Sequence, residues 1–125
     1  MFQVGSAIEF PAEHIMPGVD GPEGELHSHD YRIDVVVERD GLDDRGMVCD
    51  LDVLDAALQE IDTKLRGRNL EIIQPADAEA VTVEVFAKWA FDFLAERLAP
   101  SGADSLTVRV WEHQFAFGGY RASLR

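Results

Sequence analysis

Over the first ten positions, hydrophobic and polar residues alternate with a period of two. Phe2, Val4, Ile8 and Phe10 share one side and Gln3, Gly5 and Glu9 the other, the pattern of a half-buried β-strand. Pro11 lacks an N–H and is expected to end the regular pairing or mark a bulge. The Gly- and Pro-rich stretch from Met16 to Gly24 reads as a loop. Alternation resumes with Tyr31, Ile33, Val35 and Val37 against Arg32, Asp34 and Glu38, and Asp40 to Gly46 forms a turn. The period then changes. Leu51, Leu54, Leu58, Ile61 and Leu65 recur every three or four residues, which predicts an amphipathic helix capped by Asp50 and stopped by Gly67. After a polar connection from Gln74 to Ala80, a second helix is predicted from about Val83 to Leu98. Its packed side carries Phe86, Trp89, Ala90, Phe93 and Leu94, and Pro100 and Gly102 end it. Leu106, Val108 and Val110 alternate with Thr107, Arg109 and Trp111. A tight turn near His113-Gln114 leads to a last short strand, Phe115 to Tyr120.

The order ββααββ predicts one α+β domain over residues 1–125, a four-stranded antiparallel sheet with two helices on one face. Such a sheet leaves two unpaired edges and one uncovered face, liabilities that oligomerisation removes. The chain carries 24 acidic and 11 basic residues, a formal net charge of −13, which argues against nucleic acid and anionic membranes as partners. The single cysteine, Cys49, excludes an internal disulfide and fits a reducing cytoplasm. The first ten residues have neither the basic nor the apolar region of a signal peptide, and no apolar run is long enough to span a bilayer.

The candidate chemistry lies in the histidines. Three of the four, His14, His27 and His29, fall within sixteen residues. On a strand, His27 and His29 leave the backbone on the same side, and a third imidazole from a neighbouring strand completes a three-His zinc site with one position open. An H-x-H with a third histidine nearby also arises by chance, so spacing alone leaves both readings open.

Several motifs, taken together, resemble the 6-pyruvoyl tetrahydropterin synthase and 6-carboxytetrahydropterin synthase family. Phe10-Pro11-Ala12-Glu13-His14 is similar to its F-x-A-A-H, and His27-Ser28-His29-Asp30-Tyr31 to its H-G-H-x-Y. Gly46-Met47-Val48-Cys49-Asp50-Leu51 resembles G-M-V-x-D-F, and Thr82-Val83-Glu84 the P-T-x-E that opens the second helix, with Val81 in place of proline. Val108-Arg109-Val110-Trp111-Glu112 resembles the strand carrying a pterin-anchoring glutamate. The resemblance implies a tunnelling fold in which three sheets close into a barrel and two trimers stack into a homohexamer. It implies zinc held by His14, His27 and His29, and a pterin-like ligand gripped by Glu112 with Thr82 and Glu84 lining the pocket.

The departures from the family pattern bear on activity. A cysteine four residues before the first histidine of H-x-H is replaced by Glu23. In Leu65-Arg66-Gly67-Arg68-Asn69-Leu70-Glu71, Arg66 and Gly67 stand where the family carries an Asp-His pair that assists proton transfer. Cys49 lies too far along the chain to substitute. Gly67 has no side chain and Arg66 stays protonated, so the standard synthase step is expected to be lost or very weak, leaving a pterin-binding homologue. A related branch of the family has glutamate in this region and cleaves the dihydroneopterin side chain to 6-hydroxymethyl-dihydropterin. That suggests a lyase with Glu23 as base, although local composition favours a solvated loop residue. A non-catalytic binding or regulatory protein is the third reading. His113, beside Glu112, offers a replacement acid-base group or a simple turn residue. Lys64, Arg66 and Arg68 offer an anion site or cations complementing a helix C-terminus. Trp89 and Trp111 read as packing residues, and Asp50 as a cap.

Overall fold

The computed structural model describes residues 1–125, and the elements follow the predicted order. They are β1 (Phe2–His14), β2 (His27–Arg39), α1 (Leu51–Leu65), α2 (Val83–Leu98), β3 (Ser105–His113) and β4 (Ala116–Ser123), with short 3-10 turns at Pro22–Gly24, Leu70–Ile73 and Ala99–Ser101. The four strands form one antiparallel sheet in the order β1-β2-β3-β4. Both helices lie on one face: α1 packs on β1, and α2 on β3 and β4. No helix is long and apolar enough to cross a membrane.

Period-two alternation sends Phe10, Ala12, Tyr31, Ile33, Val35, Val37, Leu106, Val108 and Val110 to the helix side, where all are buried. The helices meet them with Leu54, Leu58, Ile61 and Leu65 from α1 and Phe86, Ala90, Leu94 and Leu98 from α2. Each large apolar side chain buried here contributes on the order of 1.5–3 kcal/mol from transfer alone. Leu51 departs from the expected stripe. It is the first residue of α1 and lies exposed, because the turn it occupies precedes the contact with the sheet. Asp50 caps α1 by accepting from the Asp52 N–H, Thr82 caps α2 by accepting from the Val85 N–H, and Gly67 leaves α1 at φ 69°.

Pro11 neither ends the ladder nor makes a bulge. Pairing continues through Pro11↔Asp30 and Ala12↔His29 to His14↔His27. β1 is an edge strand, and the polar groups of Pro11 and Glu13 face outward. There the Pro11 carbonyl accepts from the Gly67 N–H, and the Glu13 N–H donates to the Arg68 carbonyl. A proline at this outward position loses no ladder bond. β4 runs to Ser123, three residues past the predicted end, held by its register with β3.

Candidate metal centre

The ladder between β1 and β2 builds the histidine cluster. His14 stands directly opposite His27, and Ala12 opposite His29, so three imidazoles meet at one end of the sheet on its helix side. Ring centroids are 4.4 Å apart for His14 and His27, 4.8 Å for His27 and His29, and 5.2 Å for His14 and His29. Tyr31, one step further along the same face, sets its ring edge-on to His14 and His29 and closes the floor against Phe86.

Glu23 joins them from the 3-10 turn in the Met16–Leu26 loop. One ligand atom from each of His14, Glu23, His27 and His29 lies within 4.8 Å of the others. The loop is drawn in by a hydrogen bond from the Met16 N–H to the Glu23 carbonyl, 2.9 Å, and by the close passage of Gly24 under the Val19 carbonyl. His27 Nδ1 lies 2.7 Å from the Glu25 carbonyl, which suits a protonated Nδ1 and leaves a lone pair on Nε2 facing the cluster.

The donor chemistry fits a divalent transition metal. Four imidazole nitrogens, both of His14 and Nε2 of His27 and His29, are buried without a hydrogen-bond partner. Such orphaned groups are costly unless something else satisfies them, and neutral imidazole is a common ligand for zinc and its neighbours. Burial lowers the His14 pKa from its ordinary value, and the nearby His27 and His29 add to this; the Glu112 carboxylate pushes it back, as does the Val81 backbone, which lies close without reaching hydrogen-bond geometry. Low basicity favours the neutral, ligating form. Burial, then the charges of Glu112 and Glu23, push the Tyr31 phenol above its ordinary value, which keeps it neutral.

Glu112 lies just past the last β2–β3 pair, Arg32↔Trp111, where the register shifts between Trp111 and His113. This irregularity frees it from the ladder beside Tyr31, and its charge reaches both Tyr31 and His14. A groove of about 760 Å³ on the uncovered face of the sheet is lined by Arg32, Asp34 and Trp111 and reaches His29 and Glu112 at one end.

The other candidates fall as follows. Thr82 is tied up as the α2 cap, and Glu84 is exposed in the first turn of that helix, close against Gly118. His113 is exposed and its Nδ1 accepts from the Phe115 N–H, as a turn residue does. Arg66 is held by Asp62 through two hydrogen bonds of 2.7 and 2.9 Å, so it does not form an anion site with Lys64 and Arg68. Cys49 is buried at the edge of a groove that Phe2 and Met47 also line, at the opposite end of β1 from His14. Trp89 stacks on Phe93, whereas Trp111 faces the groove and donates to Asp34 at 2.6 Å. Tyr31 and Gly24 carry structural weight at the centre that the sequence reading did not assign. The signal for Tyr31 was available, since it stands one period-two step beyond His29.

A small α+β protein with three imidazoles and a carboxylate converging at one end of its sheet is thus the class that fold and site define. The 6-pyruvoyl tetrahydropterin synthase family model matches residues 3–123, and the chain belongs to that family. Comparison with curated proteins by sequence returns no match. Among solved structures, the 6-pyruvoyl tetrahydropterin synthase of Plasmodium falciparum is similar at TM-score 0.77 and 15% identity, covering 97% of this chain and 98% of that one. That of Caenorhabditis elegans is similar at TM-score 0.72 and 21% identity, covering 98% and 96%. The Plasmodium vivax protein was solved with a glutamate, described there as a catalytic residue, replaced by alanine; it is similar at TM-score 0.74 and 13% identity, covering 98% and 99%.

Proposed function

We propose that this chain is a zinc-dependent lyase acting on a pterin with a hydroxylated side chain, of the type that converts dihydroneopterin to 6-hydroxymethyl-dihydropterin. Glu23 is the base. The observation that carries this reading is the convergence of Glu23 on His14, His27 and His29. Glu23 remains an exposed loop residue, as local composition leads one to expect, yet its carboxylate reaches the histidines.

His14, His27 and His29 would hold the metal, which supplies polarisation of the side-chain oxygens. Glu112 accepts two N–H bonds from the 2-amino edge of the ring, fixing its orientation, with Thr82 and Glu84 at the pocket wall. Glu23 then removes a proton from the hydroxyl on the second side-chain carbon. The bond between the first and second carbons breaks, a two-carbon hydroxyaldehyde leaves, and the electron pair passes into the ring imine. A proton returned to the first carbon completes 6-hydroxymethyl-dihydropterin. The use of a glutamate called catalytic in a protein of the same fold is compatible with this assignment. The standard synthase step is lost or very weak, because Gly67 offers no proton carrier and Arg66 is engaged by Asp62.

In the same reading the subunit assembles into a homohexamer. The open edges of β1 and β4 are where neighbouring sheets would join, and the uncovered face would line the barrel.

The test feeds dihydroneopterin to the zinc-loaded protein and follows 6-hydroxymethyl-dihydropterin and the two-carbon aldehyde. Glu23→Ala should remove the product, by at least the roughly 10²-fold typical of a lost general base. Pterin binding without either product, in parent and variant alike, returns the chain to a non-catalytic pterin-binding protein.

A further inference from the structure

We propose that Glu23 has a second role as a displaceable fourth ligand: before the organic ligand arrives, its carboxylate closes the three-His metal centre. The inference rests on the metal centre of the proposed function and adds a resting state to it.

The first argument is the disposition of atoms. Oε2 of Glu23 is 3.2 Å from Nε2 of His27, yet no hydrogen bond joins them, and that nitrogen counts as unpartnered. The other ring nitrogen, Nδ1, is taken by the Glu25 carbonyl at 2.7 Å. A carboxylate oxygen and a ring nitrogen that approach this closely without a hydrogen bond are disposed as two ligands of one cation. The same holds across the cluster, where His14 is 5% exposed and offers nitrogens without partners. A tetrahedral site with bonds of 2.0–2.2 Å places its ligand atoms roughly 3.4 Å apart. The four atoms already lie within 4.8 Å, so side-chain rotations alone can close the set.

The second argument is the contrast in how the ligands are held. The histidines stand on paired strands, with His27 further fixed by the Glu25 carbonyl. Glu23 has an anchored backbone, through the Met16 N–H, but its side chain is 57% exposed and rotates about three bonds. Three fixed ligands and one on a flexible arm make a centre that can open at a single position. When ligand oxygens take that position, the bond from the metal to Glu23 is exchanged for one to the ligand. The released carboxylate is then a free base beside the reacting carbons. One residue thus shields the metal at rest and moves the proton in the reaction.

The experiment uses the full chain loaded with Co²⁺ alone, which reports coordination through its visible spectrum. In the parent, the spectrum should be that of a four-ligand tetrahedral site and should not respond to millimolar azide. In Glu23→Ala and Glu23→Gln, solvent replaces the carboxylate. The spectrum should shift, respond to azide, and Co²⁺ affinity should fall at least roughly tenfold. Neopterin, an oxidised pterin with a three-carbon polyol side chain, should shift the parent spectrum toward that of the variants' neopterin complexes. Identical Co²⁺ spectra and affinities in parent and both variants overturn the inference, whatever the product assay gives. Loss of product in Glu23→Ala with an unchanged Co²⁺ spectrum would leave Glu23 as a base only. A changed spectrum with no product from the parent would keep the ligand role and sink the lyase reading. Glu23 lies in a turn that buries no residue, so neither variant threatens the fold.

Discussion

Gly24→Ala separates placement of Glu23 from stability of the fold. A β-carbon at position 24 would stand 1.9 Å from the Val19 carbonyl oxygen and 3.1 Å from its carbon, whereas β-carbons essentially never approach other atoms closer than 3.0 Å. Backbone on one side or the other must therefore yield by about 1 Å, and Gly24 directly follows Glu23. The stability cost is small because the 3-10 turn buries no residue, and Pro17 to Glu23 are all exposed. We expect a loss within about 1 kcal/mol, a few degrees in Tm. The functional cost is large by comparison. A misplacement of about 1 Å in a catalytic group costs on the order of 10²-fold, or roughly 2.7 kcal/mol in the barrier. The assay pairs thermal melting with kcat/KM for side-chain cleavage of dihydroneopterin. A variant that cleaves within twofold of the parent would refute the claim that the Val19–Gly24 contact sets the position of Glu23. A Tm loss above about 10 °C would refute the claim that the loop lies outside the cooperative core.

Stripping the metal with a chelator should lower Tm by roughly 10 °C for a centre loaded at a hundred times its Kd, and His27→Ala should show no metal-dependent shift at all; equal chelator effects in both proteins would contradict the ligand assignment. The Asp43 carboxyl is held below its ordinary value, first by the Met47 N–H it accepts from and then by the Arg45 N–H and nearby arginines. Its folded pKa lies below the unfolded one, so its stabilisation is present above about pH 4 and disappears as pH falls through the lower value. In denaturant titrations, the stability gap between the parent and Asp43→Asn should therefore shrink from pH 6 to pH 3; a constant gap counts against this. Gly118→Ala puts a β-carbon 2.6 Å from Val83 Cγ2 and 2.9 Å from the Glu84 N–H nitrogen, displacing the start of α2. It should cost about 1–3 kcal/mol by denaturant titration, and a neutral result would mean that helix and strand separate freely.

The sequence was most legible where local chemistry and tertiary packing agree. The limits of α2 follow from Thr82, which caps it, and from Pro100 and Gly102 beyond it, and the helix observed is Val83–Leu98. β4 was underestimated because Gly118, Gly119 and Arg121 carry no apolar alternation; its length comes from pairing with β3. Pro11 was misjudged for a related reason. Whether a proline costs a ladder bond depends on which way its position faces, and on an edge strand that is a fact of register. The pairing of His14 with His27 lies beyond Pro11, so the assembly of the centre hangs on a continuity that the local sequence argues against. His27 and His29 were legible as a same-side pair because period-two geometry requires it. Glu23 was not, since its placement depends on the Met16 N–H and on the space over Gly24, neither of which appears in the spacing of residues.

That difference in legibility reflects a division of labour in the fold. The imidazoles are fixed by ladder pairs, and shifting β1 against β2 by one residue would turn every side chain of that strand to the other face and expose its core set. The metal centre is therefore coupled to the stability of the whole domain and resists change. The carboxylate is carried by a loop that buries almost nothing, so the residue there can be exchanged at little cost in folding free energy. With Arg66 committed to Asp62 and Gly67 without a side chain, the only acidic or basic group inside the cluster besides the imidazoles is Glu23. On the proposed reading, the base available to the side chain is accordingly set at one position. Glu23→Cys, which restores the residue type the family carries there, should not bring back the synthase step, because Arg66 and Gly67 still lack the proton carrier. Synthase turnover in that single variant would mean that proton transfer runs through a group other than the Asp-His pair.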